Sequence, residues 1–379
     1  MNAVKNVVDD SAAMKMAANL IEKADIQING TRPWDIQLKA RGVADRLFAK
    51  GSLGLGESYM DGDWEVEQLD EFFTRVLRAR LDQQLKPARL VLHGLRAKIM
   101  NLQTSRRAWQ VGEQHYDLGN EFYEAMLDPR MTYTCGYWKD ATTLVEAQEA
   151  KLDLVCRKLG LKPGMRLLDI GCGWGSLMSF AAQNYGVECV GITISKEQAA
   201  WAQQRYAGLP MEFRLQDYRE VQGQFDRIAS IGMFEHVGRK NHRIFLEVAN
   251  RCLKDDGLFL LHTIGKNICH TPPDPWVDKY IFPNGDLPSI SQISSAASNL
   301  FVIEDLHNFG ADYDTTLMAW FKNFEASWPK FSAQLGERFY RMWKYYLLSC
   351  AGAFRARDIQ LWQFVMAKSG VVNGYTRVS

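Results

Sequence analysis

The stretch LLDIGCGWGS, residues 167–176, decides the fold of this chain. Its first residues are apolar apart from Asp169, as in a buried strand, and glycines then stand at alternate positions before a helical pattern begins. Glycines in such a turn permit a tight bend and let the backbone approach a ligand at the N-terminus of the next helix. The stretch therefore predicts a strand, a ligand-binding turn and a helix, although a purely structural turn would show the same pattern.

Strand and helix patterns alternate around this stretch, from about residue 140 to residue 265. The predicted strands are 165–170, 187–194, 225–231 and 257–264, and the predicted helices are 146–160, 175–186, 195–208 and 239–253. This alternation predicts an α/β protein with a doubly wound parallel sheet. Aromatic-rich helices are expected over 313–366, as a cap above the carboxyl ends of the strands, where ligands bind in this architecture.

The residues around the turn favour S-adenosylmethionine as the cofactor. The glycines have the spacing G-x-G-x-G, whereas the dinucleotide fingerprint is G-x-G-x-x-G, and no acid ends the second strand. Thr193 and Gln198 follow that strand instead, and Gln216 and Asp217 follow the third. An acid before the turn and polar groups after it suit a ligand with an ammonium group and a ribose but no pyrophosphate. A dinucleotide site and a scaffold that binds nothing remain the alternatives.

The composition fits a reduced globular protein of about two domains. The chain has 379 residues, 47% of them hydrophobic, and a formal net charge of +1. Its seven cysteines are odd in number and form no CxxC pair, so we expect neither a disulfide framework nor a metal site. No apolar stretch is long enough to span a membrane and the N-terminus lacks a signal peptide, which predicts a cytoplasmic location.

The N-terminal part is expected to be a separate helical domain, 1–103, followed by a catalytic domain, 104–379. Residues 12–26 have helical spacing, and residues 51–73 are expected to form a glycine-punctuated loop that runs into a further helix. Nine Lys or Arg stand against a single acid between residues 74 and 107. This basic stretch fits either a solvated helix face or a surface that meets anionic lipid headgroups. No nucleic-acid motif accompanies it, so nucleic acid is not an expected partner.

Several long motifs accompany the glycine turn. They are GSLGLGESYMDGDWE (51–65), EQHYDLGNEFY (113–123), MLDPRMTYTCGYW (126–138), DIGCGWGSL (169–177), GMFEHVG (232–238), LLHTIG (260–265), KYIFPNG (279–285), NFGADYDTTLMAW (308–320) and CAGAFRARDIQLWQ (350–363). Together they resemble the bacterial cyclopropane-fatty-acyl-phospholipid synthases over essentially the full length. The related mycolic acid cyclopropane synthases resemble the catalytic part only. Thr134 stands where many relatives have Ser, which keeps the hydroxyl group.

The resemblance implies a class I S-adenosylmethionine methyltransferase fold with a smaller N-terminal domain. It implies that a cis double bond in a phospholipid acyl chain attacks the sulfonium methyl group, and that loss of a proton from that methyl closes a three-membered ring. The family holds bicarbonate as the base. By residue matching, we expect bicarbonate among Cys135, Glu235, His262, the backbone of Ile264, and Tyr313. We expect Cys350 near the pocket, without a nucleophilic role.

The same matching implies a set of S-adenosylmethionine contacts around the turn and the neighbouring strand ends. These are Tyr133, Thr134, Leu167, Leu168, Asp169, Ile170, Gly171, Cys172, Gly173, Trp174, Gly175, Thr193, Gln198, Gln216 and Asp217. Relatives also suggest a homodimer. The substrate implies peripheral association with the inner face of the cytoplasmic membrane.

Glu235, at the end of the apolar run IASIGMF, is expected to orient the base and not to be the base itself. Positive charge starts on sulfur and moves to carbon, so a carboxylate stabilises ground and transition states alike and accelerates the reaction little. A carboxylate beside an anion is reasonable if His262 is protonated, or if bicarbonate donates its hydroxyl to Glu235. Both protonation patterns stay open.

Two other functions also stay open. A relative could methylate the same alkene but lose a different proton, giving a branched or methylene fatty acid. The complete set of expected bicarbonate residues favours ring closure. A non-catalytic lipid-binding protein with the same fold is the second alternative, and the intact turn and acid argue against it.

Overall fold

The structure, a computed structural model, describes residues 7–84, 118–269 and 272–379. By their contacts these residues form two compact units. The first contains the described residues up to 84 together with 272–283 and 317–359, and the second contains the remainder. The expected domain boundary at residue 103 and the basic stretch beyond residue 84 lie outside the described residues, so both stay predictions.

The described elements alternate in the pattern of an α/β protein. The strands are β1 (Gln37–Leu38), β2 (Trp64–Glu65), β3 (Arg166–Ile170), β4 (Glu188–Thr193), β5 (Met211–Leu215), β6 (Phe225–Ile231), β7 (Leu253–Lys266), β8 (Val302–Asn308) and β9 (Ile359–Ala367). The helices are α1 (Ala12–Ile21), α2 (Val43–Lys50), α3 (Ser52–Met60), α4 (Leu69–Arg78), α5 (Leu81–Gln84), α6 (Asn120–Met126), α7 (Leu144–Lys158), α8 (Ser176–Tyr185), α9 (Lys196–Arg205), α10 (His242–Cys252), α11 (Pro275–Tyr280), α12 (Ile290–Ala297), α13 (Asp312–Ser327) and α14 (Ser332–Arg355). None of the described helices is both long and apolar enough to cross a membrane.

The second unit is built on a seven-stranded sheet with the order β5-β4-β3-β6-β7-β9-β8. Strands β3 to β7 pair in parallel, and β8 runs antiparallel to β9. The predicted α/β class and its parallel sheet are confirmed, and each predicted strand and helix between 146 and 264 is present within a few residues. Strand β9 contradicts the helices expected over 313–366. Its sequence, IQLWQFVMA, is a short buried apolar run, and such a run fits a strand or a buried helix equally well.

Helices cover both faces of this sheet. On one face Leu168 and Ile170 of β3 pack with Phe245 and Leu246 of α10. On the other face Leu167 packs with residues of α7 and α8. Alternate residues of a strand point to opposite faces, so Asp169 lies on the same face of β3 as Leu167, the face that α7 covers. At the edge of the sheet, Val302 and Ile303 of β8 are 45% and 37% exposed.

The first unit corrects one prediction. Residues 52–60 were expected to form a loop, but they form helix α3. The two glycines inside it serve close packing instead of a turn. A Cβ atom on Gly54 would lie 2.0 Å from the carbonyl oxygen of Arg46, and one on Gly56 would lie 2.3 Å from Cδ1 of Trp276. Sequence spacing does not show such approaches, because they depend on neighbours that are distant in the chain.

Candidate active site

Five predicted site residues of the second unit lie at or just after the ends of parallel strands. Asp169 lies near the end of β3, and Thr193 is the last residue of β4. Gln216 and Asp217 follow β5, and Glu235 follows β6. Because the carboxyl ends of parallel strands meet at one edge of a sheet, these residues share that edge, which is where open α/β sheets bind ligands.

The glycine turn joins β3 to α8. Gly171, Gly173 and Gly175 have φ angles of 86°, 53° and 81°, in the left-handed region that favours glycine. A Cβ atom on Gly171 would lie 2.6 Å from Cγ of Met233, and one on Gly175 would lie 2.8 Å from Cζ of Phe213. Substitution at either position would therefore both strain the backbone and collide with a neighbour.

The other residues of the predicted cofactor loop form two groups. Some lie in the hydrophobic cores on either side of the sheet, and the others shape the turn. Leu167, Leu168 and Ile170 are fully buried in the two hydrophobic cores, so only their backbone could face a ligand. Cys172 is also buried, and Nε1 of Trp174 donates to Oδ1 of Asn120 at 2.9 Å. These residues hold the shape of the turn.

Asp169 is the buried charged group of the turn. It is 3% exposed, and its Oδ1 atom accepts no hydrogen bond from any described residue. Burial raises the pKa of Asp169 to about 7, and the positive charge of Lys151 opposes that rise. A buried carboxylate oxygen without a partner is costly in a folded protein, so this atom is suited to a bound donor.

The polar residues after β4 and β5 are tied to their own strand ends. Oγ1 of Thr193 lies 3.2 Å from Oε1 of Gln198. The Gln216 side chain donates to the carbonyl oxygen of Glu220 at 3.0 Å. Asp217 forms an ion pair with Arg219 at 2.8 Å. The backbone N–H of Gln216 donates to the carbonyl oxygen of Thr193, which joins these two strand ends.

Glu235 lies in a single 3₁₀ turn, Phe234–His236, directly after β6. Its Oε1 atom accepts the backbone N–H of Ile264 at 2.7 Å, while Oε2 has no partner among the described residues. Burial raises the pKa of Glu235 to about 7, and the hydrogen bond from Ile264 opposes that rise. Near neutral pH the carboxyl group can therefore accept or donate a hydrogen bond at Oε2.

His262 lies on β7, paired in register with Ile231 of β6. It is 1% exposed, and its Nδ1 lies 3.2 Å from Nε2 of Gln363. With the amide in this orientation Gln363 donates to Nδ1, so the neutral ring carries its proton on Nε2. Burial lowers the pKa of His262 well below its usual value, which keeps the ring neutral. Nε2 has no hydrogen-bond partner in the described part of the chain.

A threonine hydroxyl on helix α13 joins the segment that carries Cys135 to the first turn of that helix. Oγ1 of Thr316 accepts the N–H of Gly136 at 3.1 Å and the ring N–H of Trp138 at 2.9 Å, and it donates to the carbonyl oxygen of Asp312 at 2.8 Å. The Cys135 sulfur lies 3.7 Å from the same hydroxyl. Burial raises the pKa of the Cys135 thiol well above its usual value, so the thiol stays protonated.

Sequence reasoning missed Thr316, although it lies inside the motif NFGADYDTTLMAW. Asp312 and Thr316 are four residues apart, a spacing that places both on one face of helix α13. The Asp312 carboxylate accepts the backbone N–H of Trp138 at 2.7 Å. The pair therefore fixes the segment with Cys135 against the first turn of helix α13, which contains Tyr313.

Tyr133 and Thr134 lie beside helix α7. The Tyr133 ring packs edge-on against Tyr123 at 5.4 Å between centroids. The Thr134 carbonyl oxygen accepts from Nε2 of Gln148 at 2.7 Å, and its hydroxyl oxygen accepts from Nζ of Lys151 at 2.9 Å. Sequence reasoning missed both helix residues, because polar side chains on a buried helix face look like solvated ones until the neighbouring segment is known.

Cys350 belongs to the first unit, on helix α14. Burial raises the pKa of its thiol to about 12, and the negative charge of Asp274 adds to the rise. A protonated thiol is a poor nucleophile, and the expectation that Cys350 forms no covalent intermediate stays a prediction.

Three buried polar atoms that have no hydrogen-bond partner among the described residues thus lie on or just after three neighbouring strands: Oδ1 of Asp169 near the end of β3, Oε2 of Glu235 after β6 and Nε2 of His262 on β7. Within the described residues, no group of three or more His, Cys, Asp or Glu could hold a metal ion. The arrangement offers one carboxylate to a cationic donor, and a carboxyl group and an imidazole N–H to a small oxygen-rich ligand.

Comparison with known proteins places the chain in a family. Residues 103–364 match the family model described as mycolic acid cyclopropane synthetase. The chain is 55% identical to the cyclopropane-fatty-acyl-phospholipid synthase of Escherichia coli over 368 residues, covering 97% of this chain and 96% of that protein. It is 39% identical to a "Probable fatty acid methyltransferase" of Pseudomonas putida, covering 67% and 68% of the two chains.

A solved structure is similar over about two thirds of this chain. The mycolic acid cyclopropane synthase CmaA1, complexed with SAH and CTAB, has a TM-score of 0.64 and 37% sequence identity, and covers 68% of this chain and 97% of its own. The sequence identity to the Escherichia coli enzyme extends over nearly the whole chain. The chain therefore belongs to the cyclopropane synthase family of S-adenosylmethionine-dependent methyltransferases.

Proposed function

We propose that this enzyme converts the cis double bond of an unsaturated acyl chain in a membrane phospholipid into a cyclopropane ring. The observation that carries the proposal is that three buried atoms, on Asp169, Glu235 and His262, have no hydrogen-bond partner in the described part of the chain. The relative from Escherichia coli, 55% identical over 97% of this chain, supports the phospholipid as substrate. The complex of CmaA1 with CTAB, a long-chain alkylammonium compound, supports a site that admits an alkyl chain.

Bicarbonate is the proposed base, and the residues expected to hold it fit such an ion. A bicarbonate ion has two oxygens that accept hydrogen bonds and a hydroxyl that donates one. The Nε2 proton of neutral His262 suits an acceptor oxygen, and Oε2 of Glu235 suits the hydroxyl. The low pKa of His262 favours this pattern over the one with a protonated histidine. When bound, bicarbonate supplies a base that removes the ring-closing proton, without exposing a protein carboxylate to alkylation.

We propose a narrower role for Ile264 than the one that sequence matching implies. Its backbone N–H donates to Oε1 of Glu235 at 2.7 Å, so the group is already engaged. We propose that Ile264 acts by aiming the Glu235 carboxyl group, which leaves Oε2 for the ion. The protonated Cys135 thiol and Tyr313 complete the proposed set, and Thr316 fixes the segment that carries Cys135.

S-adenosylmethionine, when bound, supplies the methyl group that becomes the ring CH₂. The glycine turn provides backbone at a helix N-terminus, and Asp169 provides a carboxylate for the ammonium group. Thr193, Gln198, Gln216 and Asp217 lie at the ends of β4 and β5, where we propose that they face the nucleoside. The role of the protein here is to bind and orient the cofactor and the alkene, because direct attack by an alkene on a sulfonium methyl group needs no protein nucleophile.

The deciding experiment is a product analysis. The purified chain is incubated with S-adenosylmethionine, bicarbonate and liposomes of a cis-unsaturated phospholipid, and the released fatty acids are analysed by mass spectrometry. We expect a product one CH₂ heavier that carries no double bond and opens like a ring. The same assay in carbonate-free buffer should be slow and should recover when bicarbonate is added. An equally fast reaction without bicarbonate would contradict the proposed base.

The second candidate function is formation of a branched or methylene fatty acid, which the similarity to the Pseudomonas putida methyltransferase favours. The same analysis separates the two, since a branched product has the same added carbon but no ring. No heavier product in spite of bound cofactor would exclude both and leave a lipid-binding role.

We further propose that the enzyme works from the cytoplasm on the inner face of the cytoplasmic membrane, as a homodimer, with the basic stretch meeting anionic headgroups. Replacing Arg78, Arg89 and Lys98 with Glu should weaken sedimentation with anionic liposomes while leaving cofactor affinity alone. Arg75 is a poor choice, because it pairs with Glu71 and Asp25, each at 2.9 Å. Unchanged liposome binding would contradict this surface.

A further inference from the structure

We propose that Lys151 and Thr134 form the subsite for the carboxylate of S-adenosylmethionine, with Asp169 as the opposite pole for its ammonium group. The inference rests on the cofactor of the family, and not on the lipid substrate or on bicarbonate. It adds Lys151, a residue of helix α7 that no motif of the sequence singles out.

Lys151 is a buried cation with a specific partner. It is 1% exposed, although lysine is rarely buried completely unless it is paired. Its Nζ atom donates to the hydroxyl oxygen of Thr134 at 2.9 Å. One helical turn earlier, Gln148 donates to the carbonyl oxygen of Thr134 at 2.7 Å. Two side chains of α7 therefore fix both the backbone and the hydroxyl of a residue that is expected to contact the cofactor.

The contact with Lys151 determines how the Thr134 hydroxyl can act. An ammonium group has no lone pair, so in this hydrogen bond the hydroxyl is the acceptor. Its own proton is then directed elsewhere, and no described residue accepts it. Thr134 is left as a donor, made stronger by the adjacent positive charge. A donor of this kind suits an anionic oxygen.

The charges on the cofactor decide which part of it fits. S-adenosylmethionine carries two positive groups, the sulfonium and the ammonium, and its carboxylate is its only anion. A buried lysine repels the first two and attracts the third. Asp169 lies on the face of β3 that α7 covers, and its Oδ1 atom has no partner among the described residues. The cation and the carboxylate thus provide opposite charges for the two ends of a zwitterion.

Asp128 is the other acid that attracts the Lys151 ammonium. Its oxygens already accept backbone hydrogen bonds, from Thr132 at 2.7 Å and from Arg130 at 3.0 Å. Asp128 therefore holds the preceding turn in place. It lowers the electrostatic cost of burying Lys151 while leaving the ammonium directed to Thr134.

Helix α7 supplies a matched control. Lys158 lies seven residues further along, is also fully buried, and contacts Nδ1 of His307 at 3.1 Å and Asp305 at 3.5 Å. Lys151→Met and Lys158→Met therefore remove the same charge, from the same helix, at the same depth. Only the first removes the partner of Thr134.

The experiment measures binding to the full chain by titration calorimetry, without lipid. The probes are S-adenosylhomocysteine and its decarboxylated analogue, which differ only in the carboxylate. The unmodified enzyme should prefer S-adenosylhomocysteine by about ten- to a hundredfold, the range of a hydrogen bond to a charged group. In Lys151→Met this preference should fall close to one, through weaker binding of S-adenosylhomocysteine. In Lys158→Met the preference should stay as in the unmodified enzyme.

A preference that survives in Lys151→Met, or that falls equally in Lys158→Met, would overturn the proposal. If Lys151→Met fails to fold, Thr134→Val decides the question, because it removes the donor and keeps the lysine. Loss of the preference in that variant supports the subsite, and its retention overturns it. None of these outcomes depends on the liposome assay, so failure of the lipid chemistry and failure of this proposal are distinguishable.

Discussion

Two buried glutamates, one in each compact unit, have opposite electrostatic surroundings. Glu57 of the first unit accepts from Nζ of Lys279 at 2.6 Å, the hydroxyl of Tyr280 at 3.0 Å and Nζ of Lys50 at 3.3 Å. Burial alone would raise the pKa of Glu57, but these hydrogen bonds outweigh it and lower that pKa to about 2. Glu235 has one backbone partner, and burial raises its pKa to about 7.

The difference separates a carboxylate that holds a fold together from one that serves a ligand. Every contact of Glu57 stabilises its charged form, as expected of a structural ion pair. Glu235 keeps one oxygen without a partner among the described residues, at a cost in stability. A buried acid with a perturbed pKa and an unsatisfied atom is typical of functional sites.

The largest expected effect is on catalysis at Glu235. Glu235→Gln keeps an oxygen that can accept from Ile264, but it replaces the group proposed to orient the base. We expect the rate of ring formation to fall about a hundredfold, within the range of positioned acid-base chemistry. Affinity for S-adenosylhomocysteine, measured by calorimetry, should stay within about twofold. A variant with normal turnover would show that Glu235 has no part in the reaction.

The next effect is the dependence of stability on pH. The folded-state pKa of Glu235 is raised, so between its usual value of 4.5 and about 7 the folded protein binds a proton that the unfolded chain has released. Stability from this group therefore falls as pH rises through that window. Glu235→Gln has no such loss. Its free energy of unfolding should therefore rise relative to that of the unmodified enzyme by about 2 kcal/mol between pH 4.5 and pH 7.

Urea unfolding of both proteins at several pH values measures this difference. Asp169, whose pKa is also raised to about 7, is present in both and cancels. A constant difference in the free energy of unfolding across the window would mean that Glu235 is ionised at its ordinary pKa.

The smallest effect is expected at Glu57. Its lowered pKa means that its contribution is present above pH 4.5 and is lost as pH falls from 4.5 toward 2. Glu57→Gln should lower the free energy of unfolding by about 1 kcal/mol at pH 7, since its lysine partners are half exposed. The gap should close in acid, and the activity of the folded variant should match that of the unmodified enzyme. A large loss of activity would remove the contrast with Glu235.

Much of the catalytic unit was predictable from sequence, because its signals are local. The run LLDIGCGWGS contains its strand, its turn and the start of its helix within ten residues, and the β-α alternation follows the same periodicity. The position of Glu235 after β6 was predictable for the same reason. Residue matching supplied His262, whose surroundings alone would suit an ordinary core histidine.

The remainder depends on contacts that are distant in sequence. In helix α3, Gly56 permits a close approach to Trp276, more than two hundred positions later, and this contact leaves no mark in the local sequence pattern. The role of Gln363 rests on β9, a strand whose apolar run fits a helix equally well. The roles of Lys151 and Thr316 can be inferred only from their contacts with Thr134 and Gly136. No spacing rule predicts such pairs.

Strand β8 has a consequence for handling the protein at high concentration. It ends the sheet order, so one row of its backbone N–H and C=O groups is not paired within the sheet, beside the exposed side chains of Val302 and Ile303. An exposed edge strand is a template on which a second chain can add, and charged residues are the usual protection against it. In β8 these charges, Glu304 and Asp305, follow only after the exposed apolar pair. Aggregation during overexpression should therefore begin at this edge, and the single substitution Val302→Lys should suppress it.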